Sequence, residues 1–109
     1  MKIIKRNGSE VIFDITKIIA AVTKANDVVE EAARMTPLQI RRIAESVELV
    51  AQEIGRTLSV EEIQDLVEDQ IMAHGAFEVA KHYITYRYTR TLVRQSNTTD
   101  DKILSLIEC

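Results

Sequence analysis

The chain of 109 residues has no tryptophan, one proline, three glycines and one cysteine, and these scarcities exclude several kinds of site. Cys109 is the last residue, so the chain has no partner for an internal disulfide and no cysteine-based zinc site. Gly8, Gly55 and Gly75 lie too far apart for a P-loop or a dinucleotide-binding turn. No apolar run approaches the ~20 residues that a membrane-spanning helix needs.

Overall composition predicts one folded domain, because 46% of the residues are hydrophobic and 28% are charged. A hairpin pattern near the start, in place of a long apolar segment, argues against a secretory leader, and a reducing, cytoplasmic location is expected. The net charge is −3, yet residues 1–9 and 81–94 contain no acid. If these two basic segments meet in the fold, they concentrate positive potential on an acidic chain.

The first segment predicts a β-hairpin. Asn7-Gly8, two residues that tolerate positive φ, lies between the apolar runs Ile3-Ile4 and Val11-Ile12-Phe13. Lys5 and Arg6 then stand side by side at the end of the first strand, where neighbouring side chains point to opposite faces. Two interpretations of these cations stay open: protection of an edge strand against aggregation, or an anion site.

Helical spacing and capping signals predict four main helices after the hairpin, covering about residues 14–27, 36–55, 59–75 and 77–95. Residues 28–35 are ambiguous, and residues 56–58 either link two helices or add a brief third strand. A short last segment begins after Thr99. The expected fold class is α+β: a four-helix bundle capped by an N-terminal β-hairpin or small three-stranded sheet.

No catalytic constellation is evident, so charged and aromatic clusters are the remaining candidates. The acids of the third helix favour a solvated face over a metal site. Arg87, Arg90 and Arg94 share one face of the fourth helix, opposite either a bound anion or the acidic second and third helices. The tyrosines of that helix favour a core or interface position over stacking against nucleic-acid bases.

Three blocks together resemble the ATP-cone domain across residues 2–94: Ile3-Ile4-Lys5-Arg6-Asn7-Gly8 with its following helix start, residues 59–68, and residues 79–90. ATP cones are allosteric domains of many ribonucleotide reductases, and they also occur behind a zinc ribbon in a bacterial repressor of reductase genes. The resemblance implies that ATP activates and dATP inhibits, usually through subunit association. The later helices and the tail look most like the anaerobic, glycyl-radical ribonucleoside-triphosphate reductase, and the missing cysteine pair disfavours the repressor.

The resemblance also implies a domain division and a set of contacts. Residues 1–95 would be the nucleotide-binding cone, and residues 96–109 a linker and short helix leading to a missing catalytic domain. Lys5, Arg6 and Arg90 would reach the triphosphate, with Lys17 on phosphate or sugar. Four apolar residues would enclose the adenine: Ile3, Val11, Ile18 and Ile63. Asp14 and Gln64 would offer polar contacts to the base or the ribose. Mg²⁺ would come with the triphosphate, held by phosphate oxygens and water.

Three functions therefore stand side by side. The leading hypothesis is an adenine-nucleotide sensor. It would work with the catalytic domain of its own polypeptide, in a homo-oligomer. A nucleic-acid-binding or repressor-type module would use the basic fourth helix, although the net charge of −3 opposes it and neither nucleic acid nor membrane is expected as a partner. A structural dimerisation bundle would use the arginines in salt bridges alone.

Overall fold

A computed structural model describes the backbone of residues 1–96 and the side chains of residues 1–89. The elements are β1 (Lys2–Ile4), β2 (Glu10–Ile12), α1 (Ile15–Asp27), α2 (Pro37–Ile54), β3 (Leu58–Ser59), α3 (Val60–Ala73) and α4 (Phe77–Ser96). The α+β fold with a small sheet is confirmed, including the third strand. The segment predicted after Thr99 and the division at residues 95–96 lie at or beyond the end of this description, and both stay predictions.

Local capping explains where the helices begin and end. The Asp14 carboxylate accepts from the Thr16 N–H at 2.9 Å and starts α1. Thr36 and Ser59 each form a capping box with the residue three positions later, which satisfies two backbone N–H groups at the start of α2 and of α3. Gly55, with φ of +76°, ends α2 in a conformation that glycine adopts at little cost.

The sheet and the helices share one core. β1 lies in the centre of the sheet, antiparallel to β2 and parallel to β3, with Ile3 opposite both Val11 and Leu58. Leu58 is buried, and Ile3 packs against the same apolar cluster. Helix α1 packs on α2 and α4, and α3 packs on the same two helices. The largest fully buried side chains come from all four helices: Val22, Ile43, Val47, Val67, Ile71 and Val79.

The hairpin turn differs from the sequence prediction. Gly8 N–H donates to the Lys5 carbonyl at 2.9 Å, and Lys5 N–H donates to the Ser9 carbonyl at 2.8 Å, so the loop is Arg6-Asn7-Gly8. Within the described residues only glycines have positive φ, and Asn7 instead accepts from the Ser9 N–H at 3.0 Å. Arg6 therefore lies in the turn, and the inference that strand alternation separates it from Lys5 is wrong.

The connection between α1 and α2 contains a short 3₁₀ turn, Glu31–Ala33, in the stretch that the sequence left ambiguous. Buried Asn26 bonds both backbone groups of Met35: its side-chain amide donates to the carbonyl at 3.0 Å, and its oxygen accepts from the N–H at 2.8 Å. Arg34 adds a hydrogen bond from Nε to the Val29 carbonyl at 2.8 Å. The loop is thus closed by side chains that satisfy its own backbone.

A pH-dependent contribution to stability is expected from the start of α3. Hydrogen bonding by Arg56, together with the Ser59 N–H, lowers the pKa of Glu62 from 4.5 to about 2. Because the folded-state pKa is depressed, the stabilisation is present above about pH 4.5 and is lost as the pH falls towards about 2. Urea unfolding of wild type and Glu62→Gln should therefore show a stability difference at neutral pH that shrinks across this window. A difference that stays constant across it would contradict the assignment.

Candidate functional site

A cleft of about 800 Å³ opens between the hairpin, α1, α3 and the middle of α4. The lining residues come from the hairpin, from α1 and the residues just before it, from α3 and from Tyr83 of α4. Fifteen residues line it: Ile3, Lys5, Arg6, Asn7, Ile12, Phe13, Asp14, Lys17, Ile18, Ala21, Val60, Ile63, Gln64, Val67 and Tyr83. The cleft is large enough for a small organic ligand.

Burial divides the lining into an apolar floor and a charged rim. The floor residues are buried members of the core: Ile18, Ile63, Val67 and Tyr83. The charged rim residues are exposed. They are three cations, Lys5, Arg6 and Lys17, and one acid, Asp14. This arrangement suits a ligand with a flat apolar part and a multiply charged anionic part.

Eight of the ten predicted site residues line this one cleft, although they come from three separate stretches of the chain: Ile3, Lys5, Arg6, Asp14, Lys17, Ile18, Ile63 and Gln64. Val11 pairs with Ile3 in the sheet and lies outside the lining, whereas its neighbour Ile12 lies in it. Arg90 belongs to α4, but its side chain lies outside the described residues. The structure thus gathers most of the predicted set into one place.

Several lining residues were missed by sequence reasoning, notably Val67 and Tyr83. Both occupy apolar positions at helical spacing, which predicts a core residue and gives no sign that one side of it faces a cavity. Asn7 was treated as a turn residue and Phe13 as part of a strand. Asn7 directly follows Lys5-Arg6 in the sequence, and this is the feature that could have predicted its place in the cleft.

The rim cations differ in their surroundings. Within the described residues, the side chains of Lys5 and Lys17 form no salt bridge. Arg6 Nε lies 2.7 Å from Glu61 Oε1 on α3, and both side chains are partly exposed. The positive charge of Lys5 is therefore directed to solvent at the rim, while that of Arg6 is shared with a carboxylate.

Asp14 caps the N-terminus of α1 and also lines the rim of the cleft. Its Oδ1 accepts from the hydroxyl and the N–H of Thr16, at 2.6 and 2.9 Å. These hydrogen bonds, with a smaller effect of Lys17, lower the pKa of Asp14, so the group stays a carboxylate. Its second oxygen remains a hydrogen-bond acceptor at the edge of the cleft.

The acids of α3 are in part a solvated face, as expected, since Asp65 and Asp69 are exposed, but four of the five also pair with arginines: Glu61, Glu62, Asp65 and Glu68. Arg87 Nη1 lies 2.9 Å from Asp65 Oδ1 and 2.6 Å from Glu68 Oε1. Burial opposes the charge of Arg87, but the hydrogen bonds that Arg87 donates to both carboxylates, with their negative charges, outweigh it and raise its pKa. At Arg87 the structural alternative is confirmed: α4 is tied to α3. The side chains of Arg90 and Arg94 lie outside the described residues.

The three tyrosines of α4 have different environments. Tyr83 is buried in the core, and Tyr86 is half-buried with the Lys24 ammonium 5.8 Å from its ring centre. Tyr88 is exposed on the outer side of the helix. A continuous stacking platform for nucleic-acid bases is therefore not formed by these three rings.

In the part of the chain that the structure describes, no group of three or more histidine, cysteine or acidic side chains is placed to hold a metal ion. Nor is any helix of residues 1–96 long and apolar enough to span a membrane.

Comparison with known protein families matches residues 1–92 to the ATP cone domain. The chain belongs to the ATP-cone family. ATP cones are allosteric nucleotide-binding domains, and this chain is accordingly a nucleotide-binding regulatory domain. The cleft, with its apolar floor and cationic rim, is the candidate site of this ATP cone.

Similar full-length proteins are ribonucleotide reductases of three kinds. The alpha subunit of ribonucleoside-diphosphate reductase from Chlamydia trachomatis is 34% identical over 92% of this chain and 10% of its own length. The anaerobic ribonucleoside-triphosphate reductase of Haemophilus influenzae is 36% identical over 88% of this chain and 13% of its own length. The vitamin B12-dependent ribonucleoside-diphosphate reductase of Mycobacterium tuberculosis is 39% identical over 85% of this chain and 13% of its own length. The chain thus spans about a tenth of the length of these relatives.

Proposed function

We propose that this ATP cone binds ATP and dATP in the cleft and thereby regulates a ribonucleotide reductase that contains it. The observation that carries the proposal is the buried apolar floor beneath an exposed cationic rim. A nucleoside triphosphate has the same division, because its purine ring is flat and largely apolar and its triphosphate is highly charged. Membership of the family and the three kinds of reductase relative support the regulatory role.

The proposed contacts are those implied by the resemblance to ATP cones, and the charges of the residues that line the cleft support them. Lys5, Arg6 and Arg90 contact the triphosphate, and Lys17 contacts phosphate or sugar. The adenine lies against Ile3, Ile18 and Ile63. Asp14 and Gln64 contact the base or the ribose. We leave Val11 out of the proposed contacts because it lies outside the lining of the cleft.

Mg²⁺ enters with the nucleotide in this proposal. The phosphate oxygens and water hold the ion, as is usual for this small, strongly hydrated cation. The residues of the cone then contact the phosphates rather than the metal. A cytoplasmic location, where both nucleotides and Mg²⁺ are abundant, stays a prediction.

Regulation requires that ATP and dATP stabilise different arrangements of the enzyme. We propose that the two nucleotides favour different subunit associations, because a ligand shifts an equilibrium only through its difference in affinity for the two states. Gel filtration of the full-length reductase with ATP or with dATP tests this step. Identical elution with both nucleotides, at saturating concentration, would contradict it.

The finer assignment is to the anaerobic, glycyl-radical class. The resemblance of α3, α4 and the tail supports it, as does the relative from Haemophilus influenzae. Relatives of two other kinds match over similar lengths. The substrate of the purified full-length enzyme tests this assignment. Reduction of ribonucleoside triphosphates supports the anaerobic class, and reduction of diphosphates contradicts it.

Calorimetric titration of the 109-residue chain with ATP, dATP and GTP, each with Mg²⁺, tests nucleotide binding. We expect saturable heat with both adenine nucleotides and none with GTP. Circular dichroism of the same sample shows whether the protein is folded. A folded protein that gives no heat with ATP or dATP would overturn the proposal and favour the structural bundle, to which the Arg87 ion pairs lend support.

A further inference from the structure

Tyr83 is a buried phenol whose hydroxyl lacks a hydrogen-bond partner in the described part of the chain. The residue is 4% exposed and belongs to the core cluster, yet it also lines the cleft. Buried tyrosine hydroxyls are nearly always bonded, because an unsatisfied polar group in an apolar environment is costly. Because Tyr83 also lines the cleft, a molecule bound in the cleft is a candidate partner for this hydroxyl.

Four polar groups act on Tyr83 electrostatically, Arg87, Glu68, Tyr86 and Asp65, but no hydrogen bond within the described residues joins any of them to its hydroxyl. Its neighbours on the cleft floor, Ile18, Ile63 and Val67, carry aliphatic side chains. The nearby charged groups of the α3–α4 contact, Arg87 and Glu68, bond each other. Burial raises the pKa of Tyr83, so the phenol keeps its proton and is available as a donor at any physiological pH.

We propose that the Tyr83 hydroxyl anchors the nucleoside part of the bound nucleotide by a hydrogen bond at the floor of the cleft. This inference rests on the proposed function. Rim cations hold the phosphates, which leaves the nucleoside to lie deeper, where Tyr83 forms part of the floor. A phenol can donate to a ring nitrogen or hydroxyl and accept from an amino group, so it fits the polar edge of a nucleoside in an otherwise apolar site.

Two phenylalanine substitutions on the same helix test the proposal. Tyr83→Phe removes one oxygen atom and keeps the ring, so we expect the affinity for Mg²⁺-ATP to fall about five- to tenfold, as for the loss of one buried hydrogen bond. Tyr88→Phe is the matched control, because Tyr88 is exposed and outside the cleft lining. Its affinity should equal that of wild type.

Two further measurements separate anchoring from a structural role. Inorganic tripolyphosphate at low ionic strength carries the charges without the nucleoside, and its affinity should be the same for wild type and Tyr83→Phe. The thermal midpoint of the ligand-free Tyr83→Phe protein should not fall below that of wild type, because no hydrogen bond is lost. A structural role would instead lower this midpoint.

Each outcome decides between the hypotheses. Wild-type ATP affinity in Tyr83→Phe overturns the anchoring role and leaves the proposed function intact. Equal losses for ATP and tripolyphosphate also overturn it, since the effect then does not concern the nucleoside. If folded wild-type protein binds no ATP at all, the proposed function fails and the role of Tyr83 fails with it.

Discussion

Replacing Asn26 by alanine is expected to lower the free energy of unfolding by about 3 kcal/mol, because two hydrogen bonds are lost and two backbone groups are stranded. The Asn26 amide bonds the N–H of Met35 at 2.8 Å and its carbonyl at 3.0 Å, and both residues are buried. Alanine can replace neither bond. A domain of this size is stable by roughly 5–15 kcal/mol, so this single amide accounts for a large share.

Urea unfolding followed by circular dichroism measures the change. The matched control is Asn7→Ala, which removes an exposed asparagine that bonds the Ser9 N–H in the hairpin turn. Water can replace that bond, so we expect a loss below about 1 kcal/mol. Similar losses for the two variants would show that closure of the α1–α2 connection by Asn26 contributes little.

Helix boundaries could be predicted from the sequence because their signals are local. Thr36-Pro37 and the Ser59–Glu62 capping box satisfy backbone groups within four residues of themselves, so no tertiary information is needed. The brief third strand was predicted only as an alternative, since its partner β1 lies more than 50 residues earlier. The bond between Asn26 and Met35 spans nine residues across a loop and left no periodic signal.

The cleft shows the same limit of sequence reasoning. The rim residues could be predicted from the resemblance to ATP cones, because they belong to short motifs that are recognisable in the sequence. Tyr83 was assigned to the core, and that is correct by burial, but a core position can also form the floor of a cavity. The ion pairs of Arg6 with Glu61 and Arg87 with Glu68 depend on how α3 meets its neighbours, which composition does not determine.

Charge sharing at the rim bears on how a nucleotide would bind. Glu61 holds Arg6 at 2.7 Å, so a phosphate that engages Arg6 competes with this carboxylate. No salt bridge within the described residues involves Lys5, so a phosphate that contacts Lys5 displaces none of their carboxylates. Of the two hairpin cations, Lys5 should therefore contribute more to affinity.

Lys5→Ala combined with Arg90→Ala is expected to weaken ATP binding by about two orders of magnitude. Arg90 is included because the resemblance to ATP cones implies that it contacts the triphosphate, and it follows Tyr83 by seven residues in α4. Each charge-assisted hydrogen bond to a phosphate contributes roughly 1.5–3 kcal/mol, and the loss of both corresponds to about 100-fold or more. Calorimetric titration with Mg²⁺-ATP measures the loss.

The matched control is Lys2→Ala combined with Arg42→Ala, which removes the same two positive charges from exposed positions outside the cleft lining. Its net charge equals that of the test variant, so any general electrostatic attraction of ATP is reduced to a similar extent. We expect a change of less than about threefold, diminishing further at high salt because distant charges are screened. Equal losses in the two double variants would mean that net charge alone attracts the nucleotide, and the phosphates would then have to be placed elsewhere than between the hairpin and α4.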